Sequence, residues 1–348
     1  VDIASAAGEV YQPYRSGIRA RGLDLVMYAV LKPALDSVAK HAVRFALLKP
    51  LFWLSTEERV RRERRLRGRE QWRKLAKADV VIVSYGKSGR TWLRVLMSRF
   101  YQRRHGLREH SLIGFDNFHL RDAAIPRVFF THDNYTKDYT GNVDSKADYY
   151  EKKVVLLVRH PADVAVSQFH QWKFRMRPNK KTLNAYPDHA ADMSVQDFML
   201  GHEAGLQRAI DFLNQWGREL PRLRNLLIVR YEDMRADPAA TLGRVLDFIG
   251  TPATPAELED AVAYASFENM RQLEQRNRFW LAGGRMKPRD PSNPESFKTR
   301  RGKVGGWRDY VDPALEAEVT RRIDAGLLPF FGYTSTERTS ARVAEAAA

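Results

Sequence analysis

The hydrophobic pattern is densest at Asp79-Val80-Val81-Ile82-Val83-Ser84, an aliphatic run without polar alternation. It gives way to a glycine-containing turn and the helical pattern Thr91-Trp92-Leu93-Arg94-Val95-Leu96-Met97. That order predicts a strand, a loop and a helix. Shorter apolar runs at Arg127–Phe130, Lys153–Val158 and Asn225–Tyr231, each followed by a polar turn and helical spacing, predict further strands. Strands that are apolar on both faces need helices above and below them. The expected fold class is therefore α/β, a central parallel sheet flanked by helices. In such sheets ligands gather beyond the carboxyl ends of the strands, so the residues just after each run become candidates for function.

The pattern changes on either side of this alternation. Residues 1–74 read as a basic helical N-terminal extension, 75–335 as the main domain and 336–348 as a flexible C-terminal tail. Within the extension, Ser55-Thr56-Glu57-Glu58 has the spacing of a capping box, predicting a helix from Arg59 to Lys74 that is dense in arginine. Such a face either meets solvent or contacts anionic headgroups or substrate. Just upstream, His41 to Leu54 mixes Leu47, Leu48, Leu51, Phe52 and Trp53 with Arg44 and Lys49. This suits an interfacial amphipathic helix and equally a helix packed on the main domain.

Composition narrows the class. The chain has 348 residues, 44% hydrophobic and 29% charged, which excludes low-complexity and unfolded classes. Lys and Arg number 58 against 42 Asp and Glu, a formal charge of +16 that favours anionic partners. With no cysteine, disulfides, thiolate metal sites and cysteine nucleophiles are excluded. Val1 to Val10 lacks the pattern of a secretory signal, and Lys32, Asp36, Lys40 and Arg44 interrupt the most apolar early stretch, so no bilayer span is expected. The expected location is cytoplasmic, with peripheral attachment to a membrane as the extension's contribution. Nothing in the sequence sets an oligomeric state.

Candidate chemistry sits at the strand ends. In Tyr85-Gly86-Lys87-Ser88-Gly89-Arg90-Thr91-Trp92, small residues let backbone N–H groups close on an anion. The helix start adds a positive dipole, and Lys87, Ser88 and Thr91 add donors, so the loop is suited to a phosphate. It is not a Walker A loop, which would need glycine where Val81 stands, nor a nucleophile elbow. After the third run, Arg159 leaves the strand and Ser167 follows two helical turns later, placed to grip one anionic group together. Arg300-Arg301-Gly302-Lys303-Val304-Gly305-Gly306-Trp307 reads as a second glycine-rich basic cradle. The histidines show no metal spacing, and no metal is expected.

From about Asp79 to Asp324 these motifs, in this order, resemble the sulfotransferases that use 3′-phosphoadenosine 5′-phosphosulfate (PAPS) and release adenosine 3′,5′-bisphosphate (PAP). Tyr85 to Trp92 is similar to the family's 5′-phosphosulfate loop Y-P-K-S-G-T-T-W, with Gly86 and Arg90 as departures. The resemblance implies that Lys87, Ser88, Gly89, Arg90, Thr91 and Trp92 hold the donor's 5′ side. Arg159, Ser167, Arg300, Arg301 and Gly302 would hold its 3′-phosphate, with Trp92, Tyr231 and Phe267 around the adenine and Ser266 a further donor-binding residue. It also implies a base: Phe130-Thr131-His132 resembles the family's K-T-H, whose histidine deprotonates the acceptor hydroxyl, with Phe130 in place of the lysine. An imidazole titrating near neutrality suits that task, and Lys87 would stabilise the leaving oxygen. His132 and Lys87 are thus the expected catalytic pair, with Asp133 next in line as a base.

The implied activity is sulfuryl transfer to an acceptor hydroxyl, and a lipid or glycan acceptor beside an anionic membrane surface is the partner the basic extension suggests. Lys180, Lys181, Arg175 and Arg177 hint at an anionic acceptor, with the pocket expected from His105–Phe118, Tyr135–Tyr150 and Phe174–Met193. A nucleotide kinase or NTPase is the rival enzyme, but it predicts a Walker lysine that the spacing lacks. A basic membrane- or nucleic-acid-binding module would leave Lys87, Arg159, Ser167 and Arg301 without purpose.

Overall fold

A computed structural model describes residues 53–279 and 286–337. The apolar runs form four strands: β1 (Val80–Ser84), β2 (Val128–Thr131), β3 (Lys153–Val158) and β4 (Asn225–Arg230). They make one parallel sheet in the order β2-β1-β3-β4. Helix α1 (Thr56–Lys77) precedes β1 and α2 (Arg90–Arg104) follows it, while the short α3 (Thr136–Thr140) follows β2. The β3–β4 connection carries α4 (Pro161–Phe174), α5 (Pro178–Leu183) and α6 (Leu206–Glu219). After β4 come α7 (Tyr231–Ala236), α8 (Pro238–Ile249), α9 (Pro255–Tyr264), α10 (Phe267–Gln275) and α11 (Pro313–Gly326).

The unbroken apolar pattern of the strands is explained by two cores. Val80 and Ile82 point into one with residues of α2, α8 and α9, whereas Val81 and Val83 point into the other with residues of α4, α6 and α11. Successive side chains of a strand face opposite sides, so a strand covered on both faces needs apolar residues throughout. Local chemistry starts the helices: Ser55 caps α1, Asp237 caps α8, Thr254 forms a capping box with Glu257 on α9, and Ser266 caps α10. Strand β1 has β2 on one side and β3 on the other. The chain therefore reverses its direction of winding there, and a crevice opens beyond the carboxyl end of β1.

The expected boundary at 74/75 falls inside α1, which packs along α3. A Cβ at Gly68 would collide with the Tyr135 carbonyl oxygen, so the two backbones meet there. Arg64 ties the packing together: Nε donates to Asp138 at 3.1 Å, and its terminal nitrogens donate to the carbonyls of Leu183 at 3.1 Å and Asn134 at 3.0 Å. Arg67 pairs with Glu63, and the arginines at 59, 61, 62, 65, 69 and 73 are exposed. The interfacial segment expected up to Phe52 lies outside the described residues, as does the tail from 338. Glu337 is anchored, accepting the backbone N–H groups of Gly332, Tyr333 and Thr334. Among the described residues no helix is long and apolar enough to cross a membrane.

Candidate active site

A cavity of about 730 Å³ opens at the carboxyl ends of the strands. Register places its contributors together: Val83 lies opposite both Thr131 and Leu156, so the segments after β1, β2 and β3 leave the sheet side by side. Of the residues expected from sequence, Lys87, Gly89, Arg90, Thr91, Trp92, His132, Arg159, Ser167, Tyr231, Phe267, Arg300, Arg301 and Gly302 all line it. Ser88 is buried outside the lining, and the Ser266 hydroxyl is the cap of α10, accepting the Asn269 N–H at 3.3 Å.

The loop after β1 has the backbone of an anion cradle. Lys87 at φ 74° and Gly89 at φ 93° are left-handed, which turns successive N–H groups towards one side. For lysine this conformation costs about 1–3 kcal/mol and persists only where the surroundings impose it. Glycine is required at 89: a Cβ there would lie 2.6 Å from the Tyr231 ring. At Gly86 a Cβ would strike the Gln168 amide, so Gln168, itself on the cavity wall, accounts for that departure from the family loop. Burial, then the positive charges of Arg175, Arg159 and Arg300 against the opposing Glu274, lower the Lys87 pKa to about 7.

The second cationic group is assembled around α4. Arg159 donates to the Lys87 carbonyl at 3.2 Å and to the Lys303 carbonyl at 3.2 Å, with its guanidinium 4.2 Å from the Tyr231 ring centre. One turn on, Asp163 accepts the N–H groups of Gly305 at 2.8 Å and Trp307 at 3.0 Å. Half of the cradle expected at 300–307 is thus already filled by an aspartate, which clamps that loop over the site. Glu274 holds the other end of the loop, accepting the N–H groups of Lys298 at 2.7 Å and Thr299 at 2.9 Å while pairing with Arg175 at 3.1 Å. Arg301 and Lys303 share Asp309, and Arg300 reaches Glu295 and Tyr310. Between the cationic groups, Trp92 stands edge-on to Tyr231 at 6.2 Å and donates its indole N–H to the Ala265 carbonyl, with Phe267 beside Gly302. These rings bound a slot that fits a flat heterocycle.

His132 closes the third side. Its Nδ1–H donates to the Ser84 carbonyl at 2.8 Å, leaving the lone pair on Nε2, where Arg90 donates. Burial and then Arg90 hold its pKa well below the usual imidazole range, so the ring is uncharged and does not titrate near neutrality as the sequence led one to expect. Phe130, at the family's lysine position, carries the Arg94 guanidinium 3.8 Å from its ring centre, and Arg94 itself lines the cavity. Asp133 is buried and committed, receiving Lys146 at 2.7 Å and the Tyr149 hydroxyl at 2.7 Å.

The remaining wall matches expectation in part: Lys137 comes from 135–150, and Met176, Asn184, Ala185 and Tyr186 come from 174–193. Segment 105–118 does not reach the cavity, and neither do Arg175, Arg177, Lys180 and Lys181; Arg175 belongs to the buried Glu274 pair and Lys181 is buried 4.7 Å from the Trp172 ring centre. Their hint of an anionic acceptor therefore falls away. In their place stand Arg64 from α1 and Arg208, Asp211, Phe212 and Gln215 from α6. The α6 residues recur at i, i+3, i+4 and i+7, a stripe on one helix face. That spacing was present in the sequence, but it carried no motif.

The fold and the site define an α/β group-transfer enzyme with a glycine-containing loop after its first strand and an uncharged imidazole beyond its second, both at one cavity. The sulfotransferase domain model matches residues 77–329, and the chain belongs to the sulfotransferase family. It is 28% identical over 262 residues to cytosolic sulfotransferase 13 of Arabidopsis thaliana, covering 70% of this chain and 75% of the relative. With flavonol 3-sulfotransferase of Flaveria bidentis it shares 27% over 274 residues, 74% of this chain and 84% of the relative. Among solved structures it is similar to mouse sulfotransferase SULT7A1 complexed with PAP, at 20% identity and TM-score 0.47 over 76% of this chain and 89% of that one. Retinol dehydratase in complex with retinol and PAP aligns at 19% identity and TM-score 0.48, over 72% and 81%.

Proposed function

We propose that the enzyme transfers the sulfuryl group of PAPS to an acceptor hydroxyl. The observation that carries this reading is that two cationic groups and three aromatic rings share one cavity: Lys87 and Thr91 from the loop after β1, Arg159, Ser167, Arg300 and Arg301 from around α4, and Trp92, Tyr231 and Phe267 in the same lining. A nucleoside phosphorylated at both 5′ and 3′ positions satisfies both groups, and a singly phosphorylated one leaves buried charge unpaired. In the reaction, His132 Nε2 takes the acceptor proton as the acceptor oxygen bonds to sulfur. Lys87 and the loop N–H groups receive the charge that develops on the bridging oxygen as the sulfur–oxygen bond breaks with its electron pair. Calorimetry tests the donor assignment. PAP should bind on the order of 100-fold more tightly than 5′-AMP, and Arg159→Ala should weaken PAP with little effect on 5′-AMP. Equal affinities, or a preference for ATP with Mg²⁺, would overturn it.

For the acceptor we infer a polyhydroxylated group, a glycan or glycolipid, met beside an anionic membrane surface. Support comes from the cavity lining, which includes Gln168, Gln171, Asn184, Asp211 and Gln215 along with Tyr186 and Phe212. Amides and a carboxylate beside aromatic faces suit sugar hydroxyls better than a purely apolar ligand. The exposed arginine face of α1, with Trp72 also exposed, supports the membrane contact. Incubation of a fractionated cell extract with enzyme and labelled PAPS should place the label in the membrane fraction, in material that degrades to a sulfated sugar. Label confined to soluble phenols would dismiss this acceptor class.

A further inference from the structure

The contact between Arg90 and His132 has a consequence for how the base is used. An imidazole whose Nδ1–H is committed to the Ser84 carbonyl has one remaining lone pair, on Nε2. Arg90 donates to that nitrogen at 2.5 Å. A guanidinium only donates, so while it stays in place the lone pair cannot accept a proton from a hydroxyl. Once protonated, Nε2 would itself be a donor facing a fixed positive charge, an arrangement with no hydrogen bond and direct repulsion.

We propose that Arg90 is a gate on the base. It covers His132 Nε2 in the free enzyme and exchanges that nitrogen for an oxyanion arriving beside the reacting hydroxyl, which uncovers the lone pair. Arg90 thus acts through His132 as a positioning residue. It is the first residue of α2, directly after the cradle of Lys87 and Gly89, so a modest rotation of its side chain carries the guanidinium from the imidazole towards whatever the cradle holds. No covalent bond changes in the exchange: the acceptor proton still passes to Nε2, and Arg90 keeps its own. The inference rests on the sulfuryl-transfer reading. The oxyanion is either the sulfuryl group of the donor or an anionic substituent of the acceptor.

Other charges face the ring as well. Arg94 comes from the same helix and Lys298 from the loop held by Glu274, and both oppose protonation; next along the chain is the neutralised Asp133–Lys146 pair. The direction of the His132 shift agrees with cations on two sides. Arg90 is the one that touches the titrating nitrogen.

The test follows the His132 resonance by NMR in histidine-labelled protein, assigned with a His132→Gln variant. In the free protein, Arg90→Thr should raise the His132 titration midpoint by about one unit or more, whereas Arg90→Lys should keep it low. In wild type, PAPS should raise the midpoint if the donor's sulfuryl group is the oxyanion, PAP with 4-hydroxybenzoate should raise it if the acceptor carries the oxyanion, and PAP alone should leave it unchanged. An unchanged midpoint in Arg90→Thr would overturn the gate. So would wild type indifferent to both PAPS and the PAP–hydroxybenzoate pair, or a ligand-induced shift as large in Arg90→Thr as in wild type. Calorimetry on the same samples separates the two readings. Failure to bind PAP removes the donor assignment, whereas PAP binding with a His132 midpoint indifferent to Arg90 removes this inference alone.

Discussion

Replacing His132 with alanine lowers turnover by about 10²–10⁴-fold, the usual contribution of a positioned general base, and leaves PAP affinity close to that of wild type. The expectation follows from the ring's position. Its Nδ1–H is spent on the Ser84 carbonyl, which sets the tautomer, and the ring is assigned to the acceptor's proton and not to a phosphate of the donor. The neighbouring carboxylate cannot stand in, because Asp133 is buried between Lys146 and the Tyr149 hydroxyl. Single-turnover transfer of labelled sulfuryl groups, with PAP binding measured in parallel, checks the split between chemistry and donor affinity. Undiminished transfer when chemistry limits the rate would move the base to another residue.

Lys87→Ala damages both binding and chemistry, with turnover falling about 10²–10³-fold, since the ammonium is assigned to charge that appears on the leaving oxygen. The same lysine makes donor binding depend on pH. In the free enzyme burial and neighbouring guanidinium groups lower its pKa to about 7, and a bound phosphate raises it again. Between about 7 and the bound-state pKa, the enzyme must therefore take up a proton to bind. PAP affinity should fall by up to about tenfold per pH unit above 7, a range in which phosphate ionisation is already complete. Calorimetry in buffers of different ionisation enthalpy reads that proton uptake directly, and Lys87→Ala should abolish it. Stability of the free enzyme moves in the opposite direction. The unfolded chain holds the Lys87 proton up to its ordinary pKa, whereas the folded chain releases it near 7, so this lysine makes the fold more stable as pH rises between those values. An affinity that stays flat from pH 7 to 9 in wild type would separate Lys87 from the phosphate.

How much of this was legible depended on how local each feature is. The strands were read from apolar runs to within a residue at their ends, and β4 was read one residue too far because Tyr231 already begins α7. The cradle was legible too, since small residues, side-chain donors and a helix start follow one another within Gly86–Thr91. His132 was marked by its place beyond β2 and by its resemblance to a family segment. The missing lysine at Phe130 read as a gap in charge, and only the fold brought Arg94 over that ring. The basic 300–307 segment read as a free cradle until Asp163, 142 residues from Gly305 in sequence, was found inside it.

By itself, then, the amino-acid sequence determined the class of fold, the loop after β1 and the residue types available to meet two phosphates, because strand burial, turn conformation and helix capping are settled among near neighbours. Packing decided the rest. Helix α1 supplies Arg64 to the cavity lining, and Arg64 reaches three partners between 70 and 119 residues away. Helix α6 turned its polar stripe into the cavity because its apolar face was taken up by the second core. Contacts of this kind exist only once the sheet order β2-β1-β3-β4 has brought distant segments to one edge. Their energies come from burial and from charges desolvated together, neither of which a linear pattern specifies.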